Sequence, residues 1–139
     1  MSWLLDTCAL SERLNRVPNR GFVRWMDAAD PHELFISVVS LGELRMGVDL
    51  LPRSAKRRKL ETWLNEHLIP FFQDRTLSFD REVALAWGRL FAECQLEGRK
   101  PPVIDSQLAA TARLNGLTLV TRNSNDFLFL KVEVLNPWS

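Results

Sequence analysis

Short apolar runs alternate with longer stretches of helical periodicity along this chain, and no other feature narrows its fold as much. Parallel strands cannot be joined by a tight turn, so a strand–helix–strand rhythm argues for a mostly parallel sheet covered by helices. Trp3-Leu4-Leu5 reads as the first strand, ending at Asp6, and Leu34-Phe35-Ile36 as the second, between Pro31 and Ser37. Thr76-Leu77-Ser78-Phe79 is the third, Leu117 to Thr121 a β-branched fourth, and Val132-Glu133-Val134 a short fifth.

The helices follow from spacing and end signals. One starts at Thr7 and a second at Asn19, with Phe22, Val23, Met26 and Ala29 on one face. After the second strand, Ser40 and Glu43 have the Ser-x-x-Glu spacing of a capping box, and the helix they open runs towards Leu51 and stops at Pro52. From Ser54 to Ile69 another helix groups Leu60, Trp63, Leu64 and Leu68, with Pro70 as its interruption. Asp80 caps the clearest helix, which carries Val83, Ala84, Trp87, Leu90, Phe91 and Cys94 and ends at Gly98. The last runs from about Ile104 to Asn115-Gly116.

At 139 residues the chain fits one domain, residues 1–139, large enough to bury a core without crosslinks. Hydrophobic residues at 46% and charged residues at 25% exclude a disordered chain. Cys8 and Cys94 form neither a disulfide framework nor a C-x-x-C pair, which favours reduced thiols in a reducing cytosol. The first apolar residues meet Asp6 too soon for a signal peptide, and no apolar run approaches membrane-spanning length. A soluble, cytoplasmic protein without a membrane partner is the expectation. A net charge of +1 means that any nucleic-acid binding must use clustered cations or a metal ion.

Acidic residues recur where strands end. Asp6 follows strand one, Glu43 lies in the first turn of the helix after strand two, Asp105 begins the helix before strand four, and Asp126 falls in the loop beyond it. Singly, such residues often do no more than complement a helix N-terminus, worth roughly 0.3–1 kcal/mol, or form a local turn. Together they lie on the rim where open α/β sheets bind ligands. Converging carboxylates repel one another and either take up protons or bind a cation. Oxygen donors without His or Cys suit a hard ion such as Mg²⁺ or Mn²⁺, and His32 and His67 lack the spacing of a zinc site. Beside a phosphodiester, such an ion activates water and neutralises charge on the scissile phosphate.

These motifs resemble those of VapC-type toxins of the PIN-domain superfamily, over nearly the whole chain. Leu5-Asp6-Thr7 is similar to the opening motif, and Ser40-Leu41-Gly42-Glu43-Leu44 with Gly47 to the second. The run from Asp105 to Ala112 resembles the third, Leu119 to Asn123 followed by Asp126-Phe127 the fourth, and Asn136-Pro137-Trp138 a common ending. Many relatives have Asn two residues after the first Asp, where this chain has Cys8. The resemblance implies an α/β fold, a single PIN-like domain with a five-stranded parallel sheet between helices. It also implies an Mg²⁺- or Mn²⁺-dependent endoribonuclease that is the toxin of a type II toxin–antitoxin system. The implied partners are RNA as substrate, a second copy in a homodimer, and an inhibiting VapB-type antitoxin, with a higher complex on operator DNA. Asp6, Asp105 and Asp126 would hold the metal, Glu43 would bind directly or through water, and Thr121 and Asn123 would support water or phosphate.

Arg53, Lys56, Arg57, Arg58 and Lys59 form the densest basic run and read either as a solvated helix face or as a phosphate-contacting patch. Arg99 and Lys100, shortly before Asp105, and Arg122, beside the fourth motif, are further RNA-contact candidates. The apolar stretches Leu44 to Leu51 and Leu60 to Leu68 read as core faces or as a groove for an antitoxin segment or dimer partner. Two rivals stand beside this reading. A phospho-receiver or scaffold domain would use Asp6 as acceptor but would need a Lys after a later strand, where the chain has Thr121-Arg122. A metal-dependent DNA nuclease would keep the same acids.

Overall fold

The computed structural model describes residues 1–139. Five parallel strands lie in the order β3-β2-β1-β4-β5: β1 (Trp3–Leu5), β2 (Leu34–Ser37), β3 (Thr76–Leu77), β4 (Thr118–Val120) and β5 (Val134–Leu135). The helices are α1 (Thr7–Ser11), α2 (Arg20–Ala28), α3 (Val38–Asp49), α4 (Ala55–Thr62), α5 (Ile69–Phe71), α6 (Arg81–Leu96) and α7 (Val103–Leu114).

Side chains alternate across a strand, so successive residues of β1 and β4 enter different cores. Leu5 and Val120 face Phe22, Leu34, Ile36, Leu64 and Leu68 on one side of the sheet. Leu4 and Leu119 face Leu90, Cys94, Leu108, Ala109 and Phe127 on the other. Cys8 and Cys94 are both free thiols. No helix is long and apolar enough to cross a membrane.

Helix ends are made by local chemistry. Asn19, Ser54 and Asp80 each accept a backbone N–H with their side chains, from Phe22, Arg57 and Val83. Gly98 and Gly116 take positive φ after α6 and α7, which only glycine does without steric cost. The N–H groups of Gly116 and Leu117 then reach back to the carbonyls of Arg113 and Ala112 and close the helix.

Four expectations change. Ser40 is not a cap: Ser37 caps α3 by accepting the Val39 N–H, so Ser40 lies inside the helix, fully buried, and Glu43 falls in the second turn, not the first. Pro70 does not interrupt its helix, because α4 widens into a π-turn over Trp63–Leu68 and continues to Phe71. A π-turn shifts the carbonyl pairing and accommodates a residue that lacks an N–H. Pairing ends at Leu77, so Ser78 and Phe79 are not strand, since the third strand is an edge with only β2 beside it. The fifth strand is Val134–Leu135, one or two residues later than its apolar pattern suggests, because Leu119 and Val120 fix its register.

The C-terminal segment folds back over the start of the chain. Trp138 stacks on Phe22, and its Nε1 donates to Glu12 at 2.7 Å. Glu12, only 5% exposed, also accepts from Asn15 Nδ2 and the Asn19 N–H. Burial alone pushes its pKa up, but these three donors and the charge of Arg122 outweigh burial and hold it below 4.5. An acid with a lowered pKa stabilises the fold above its unfolded pKa and loses that contribution as pH falls through the folded one. Trp138→Phe should therefore lower unfolding free energy by about 1–3 kcal/mol near neutral pH, the usual loss at a buried charged acceptor. The deficit should shrink in urea titrations near pH 3; an equal deficit at both pH values would count against an ionised Glu12.

Candidate active site

A helix that leads into a parallel strand must begin at the edge where strands end, and a helix that follows a strand begins there too. That geometry puts the ends of β1, β2 and β4 and the starts of α1, α3 and α7 on one rim of the sheet. Asp6 stands there as the N-cap of α1, its Oδ1 accepting the Ala9 N–H at 2.8 Å. Its own N–H donates to the Val120 carbonyl at 3.1 Å, which carries the β1–β4 ladder one residue further. Just past the end of β4 is Thr121, fully buried beside Asp6, its Oγ1 accepting the Asn123 N–H at 3.0 Å. Asp6 is 5% exposed, and burial raises its pKa, with Glu43 adding to the rise. Hydrogen bonds from Thr121 and Ala9 and the charge of Arg122 partly offset that rise.

Asp105 lies in the first turn of α7 and has no such donors. Burial first, then the charges of Asp126, Asp6 and Glu43, push its pKa up to about 6. The other three acids named from the sequence therefore all bear on Asp105. Asp126 is exposed in the helical turn Ser124–Leu130, its N–H bonded to the Asn123 carbonyl at 3.0 Å. Glu43 is half-buried on α3. No three His, Cys, Asp or Glu side chains are drawn together closely enough in this structure to hold a metal ion between them. The donors are all oxygens, their mutual repulsion is relieved by positive charge, and Mg²⁺ sites keep several waters instead of a full protein cage. By donor type and charge, the four acids suit a hard divalent cation.

Several supports have no signal in the sequence. Thr7 Oγ1 donates to Ser40 Oγ at 3.3 Å, tying the start of α1 to α3 and hence Asp6 to the helix of Glu43. Trp87 Nε1 donates to Ser106 Oγ at 2.8 Å, and Ser106 donates to the Val103 carbonyl, which fixes the turn that carries Asp105. Asn136 Nδ2 donates to the Arg122 carbonyl at 3.3 Å, bracing the loop between Thr121 and Asp126. Partners so far apart along the chain leave no trace in local periodicity. Cys8 is half-buried; burial, then Asp6, raises its pKa, so the thiol stays protonated beside the acids.

The basic candidates scatter. Arg122 is exposed, and its charge reaches both Asp6 and Cys8. Arg57 is engaged with Asp49, Glu61 and the Leu51 carbonyl, so most of its donors are committed. Arg99 lies over the Phe129 ring at 5.0 Å, while Lys100 and Arg53 are exposed. Lys56, Arg58 and Lys59 turn towards a different groove, shared with Arg13 and Arg16.

Residues 3–134 match the family model described as "PIN domain". The chain is 35% identical to toxin FitB of Neisseria gonorrhoeae over 135 residues, 97% of each chain. It is 29% identical to VapC ribonuclease Y4jK of Sinorhizobium fredii, over 97% of this chain and 96% of the relative. A solved structure of FitAB bound to an IR36 DNA fragment contains a chain that superposes with a TM-score of 0.92 at 32% identity, covering 99% of this chain and 96% of that one.

The raised pKa of Asp105 has a definite consequence for stability. The folded chain holds that proton more tightly than the unfolded one, so the unfolding free energy declines as pH rises from 3.8 through about 6. In chelator, Asp105→Asn should lose less stability than the parent over this range and exceed it at neutral pH. Urea midpoints measured across the range check this. A variant less stable than the parent at neutral pH, with an unchanged pH slope, contradicts it.

Proposed function

We propose, from the premise that this chain belongs to the PIN-domain family, that its four-acid rim is the metal-dependent centre of an endoribonuclease toxin. The family membership and the similarity to a FitB toxin and a VapC ribonuclease support the ribonuclease and toxin assignments. The observation that carries the site is the electrostatic coupling of Asp105 to Asp126, Asp6 and Glu43, which come from four separate segments.

Asp6, Asp105 and Asp126 would supply carboxylate oxygens for Mg²⁺ or Mn²⁺. When bound, a hard dication lowers the pKa of water and neutralises charge on the scissile phosphate. Glu43, half-buried and within the same field, orients the attacking water and takes up its proton. Thr121 steadies Asp6 through its hydroxyl and turns the chain to Asn123, whose exposed amide is free for water or phosphate. Arg122, exposed beside the acids, meets a non-bridging phosphate oxygen. The near-neutral net charge of +1 leaves the site, not the whole surface, to attract phosphate. A VapB-type antitoxin and a second copy of the chain are the expected partners, supported by the FitAB likeness.

Asp6→Asn or Asp105→Asn should cut RNA cleavage by more than about a hundredfold, since losses one shell further out already cost 10–100-fold at metal sites. Circular dichroism should show both variants folded. Chelator should silence the parent, and Mg²⁺ or Mn²⁺ should restore it. Undiminished cleavage in metal-free buffer by pure protein would overturn the mechanism, and faster cutting of DNA than RNA would move the substrate to DNA.

A further inference from the structure

The segment after α1 and the face of α4 enclose an open groove of about 930 Å³ that none of the four rim acids lines. Arg13 and Arg16 come from one wall, Lys56, Arg58 and Lys59 from the other, and His67 and Trp63 lie along it. No Asp or Glu lines it. Arg13 is paired with Asp27, whereas Arg16, Lys56, Arg58 and Lys59 have no ion-pair partner. In a chain of net charge +1, such local excess is a segregation of charge.

We propose that this groove is a track for the backbone of single-stranded RNA running up to the carboxylate site. The inference rests on reading that site as a ribonuclease centre. The walls are too polar for a helix-in-groove partner, with only Leu14, Leu60 and Trp63 apolar among eleven lining residues. A cationic groove with an aromatic face in its wall is what an unpaired strand requires: phosphates meet the cations, and a base stacks on the indole. The groove is connected to the site through α1. Asp6 caps α1, and Arg13 follows seven residues later, about 10–14 Å along a helical path. Arg13, Trp63 and His67 also line an adjoining cleft of about 610 Å³ that reaches Ala9, whose N–H is bonded to Asp6. Arg57 is absent from the lining because its guanidinium is turned to Asp49 and Glu61.

The test is a salt series of fluorescence anisotropy with a labelled, mixed-sequence single-stranded RNA, in chelator so that nothing is cut. Arg16→Ala/Lys56→Ala/Arg58→Ala should weaken binding and reduce the slope of log K against log salt by about 2, or about 0.7 for each phosphate no longer neutralised. Arg16→Lys/Lys56→Arg/Arg58→Lys should keep the parent slope. Arg81→Ala/Arg89→Ala/Arg113→Ala, on α6 and α7, should keep it as well. An unchanged slope in the groove variant overturns the proposal, and so does an equal loss in the α6–α7 variant, which would mean bulk charge alone. Loss of binding to an acidic peptide with the RNA slope intact assigns the groove to a protein partner and also overturns it. Because binding is read without cleavage, a parent that fails to cut RNA with Mg²⁺ strikes the ribonuclease reading separately.

Discussion

β1 and β4 lie side by side at the centre of the sheet with no face open to water. Leu4, Leu5, Leu119 and Val120 are each completely buried, two towards each core. Their register, Leu4 opposite Leu119 and Leu5 opposite Val120, puts Asp6 next to Thr121 at the point where both strands end. A shift of one residue would turn every one of these side chains to the opposite face, so hydrophobic burial holds the register and the register places the acid. The chain passes from β1 to β2 and β3 on one side, then to β4 and β5 on the other, so the centre of the sheet is also where its two halves part.

The acids gathered at that rim are not equivalent, and the differences come from backbone and hydroxyl donors more than from the acids themselves. Asp6 is the more buried but has Ala9 and Thr121 as donors. Asp105 has none, and three other carboxylates bear on it. The fold thus stores electrostatic tension at one residue, which a cation would release. The rim is braced from behind by neutral contacts, Thr7 with Ser40 and Trp87 with Ser106, which hold α3 and α7 in place without adding charge.

Charge elsewhere follows the same economy. Arg57 and Arg45 are tied to Asp49 and Glu61 on the outer side of α3 and α4, which stiffens that corner and removes those cations from the surface field. The remaining cations of α4 face Arg13 and Arg16. A net charge close to zero therefore describes neither the acidic rim nor the basic groove, because opposite excesses cancel in the sum.

Much of this was legible in the sequence. β1, β2 and β4 and the helices from Asn19, Asp80 and Ile104 were marked by apolar runs and capping residues, because those signals are local. The parallel sheet followed from the alternation of strand and helix, and the acids at strand ends pointed to the rim. The sequence alone could not place the short edge strands, since β3 and β5 are fixed by the neighbours they pair with and not by their own residues. Nor could it show Ser40 as a buried brace, Pro70 inside a widened helix, or Glu12 held by Trp138 from 126 residues away. Those features depend on contacts between distant segments, and periodicity carries information only about near ones. The residue types at the acidic rim were written in the sequence; their place on one rim, and the burial and repulsion that raise Asp105's pKa, were decided by the sheet that brings them together.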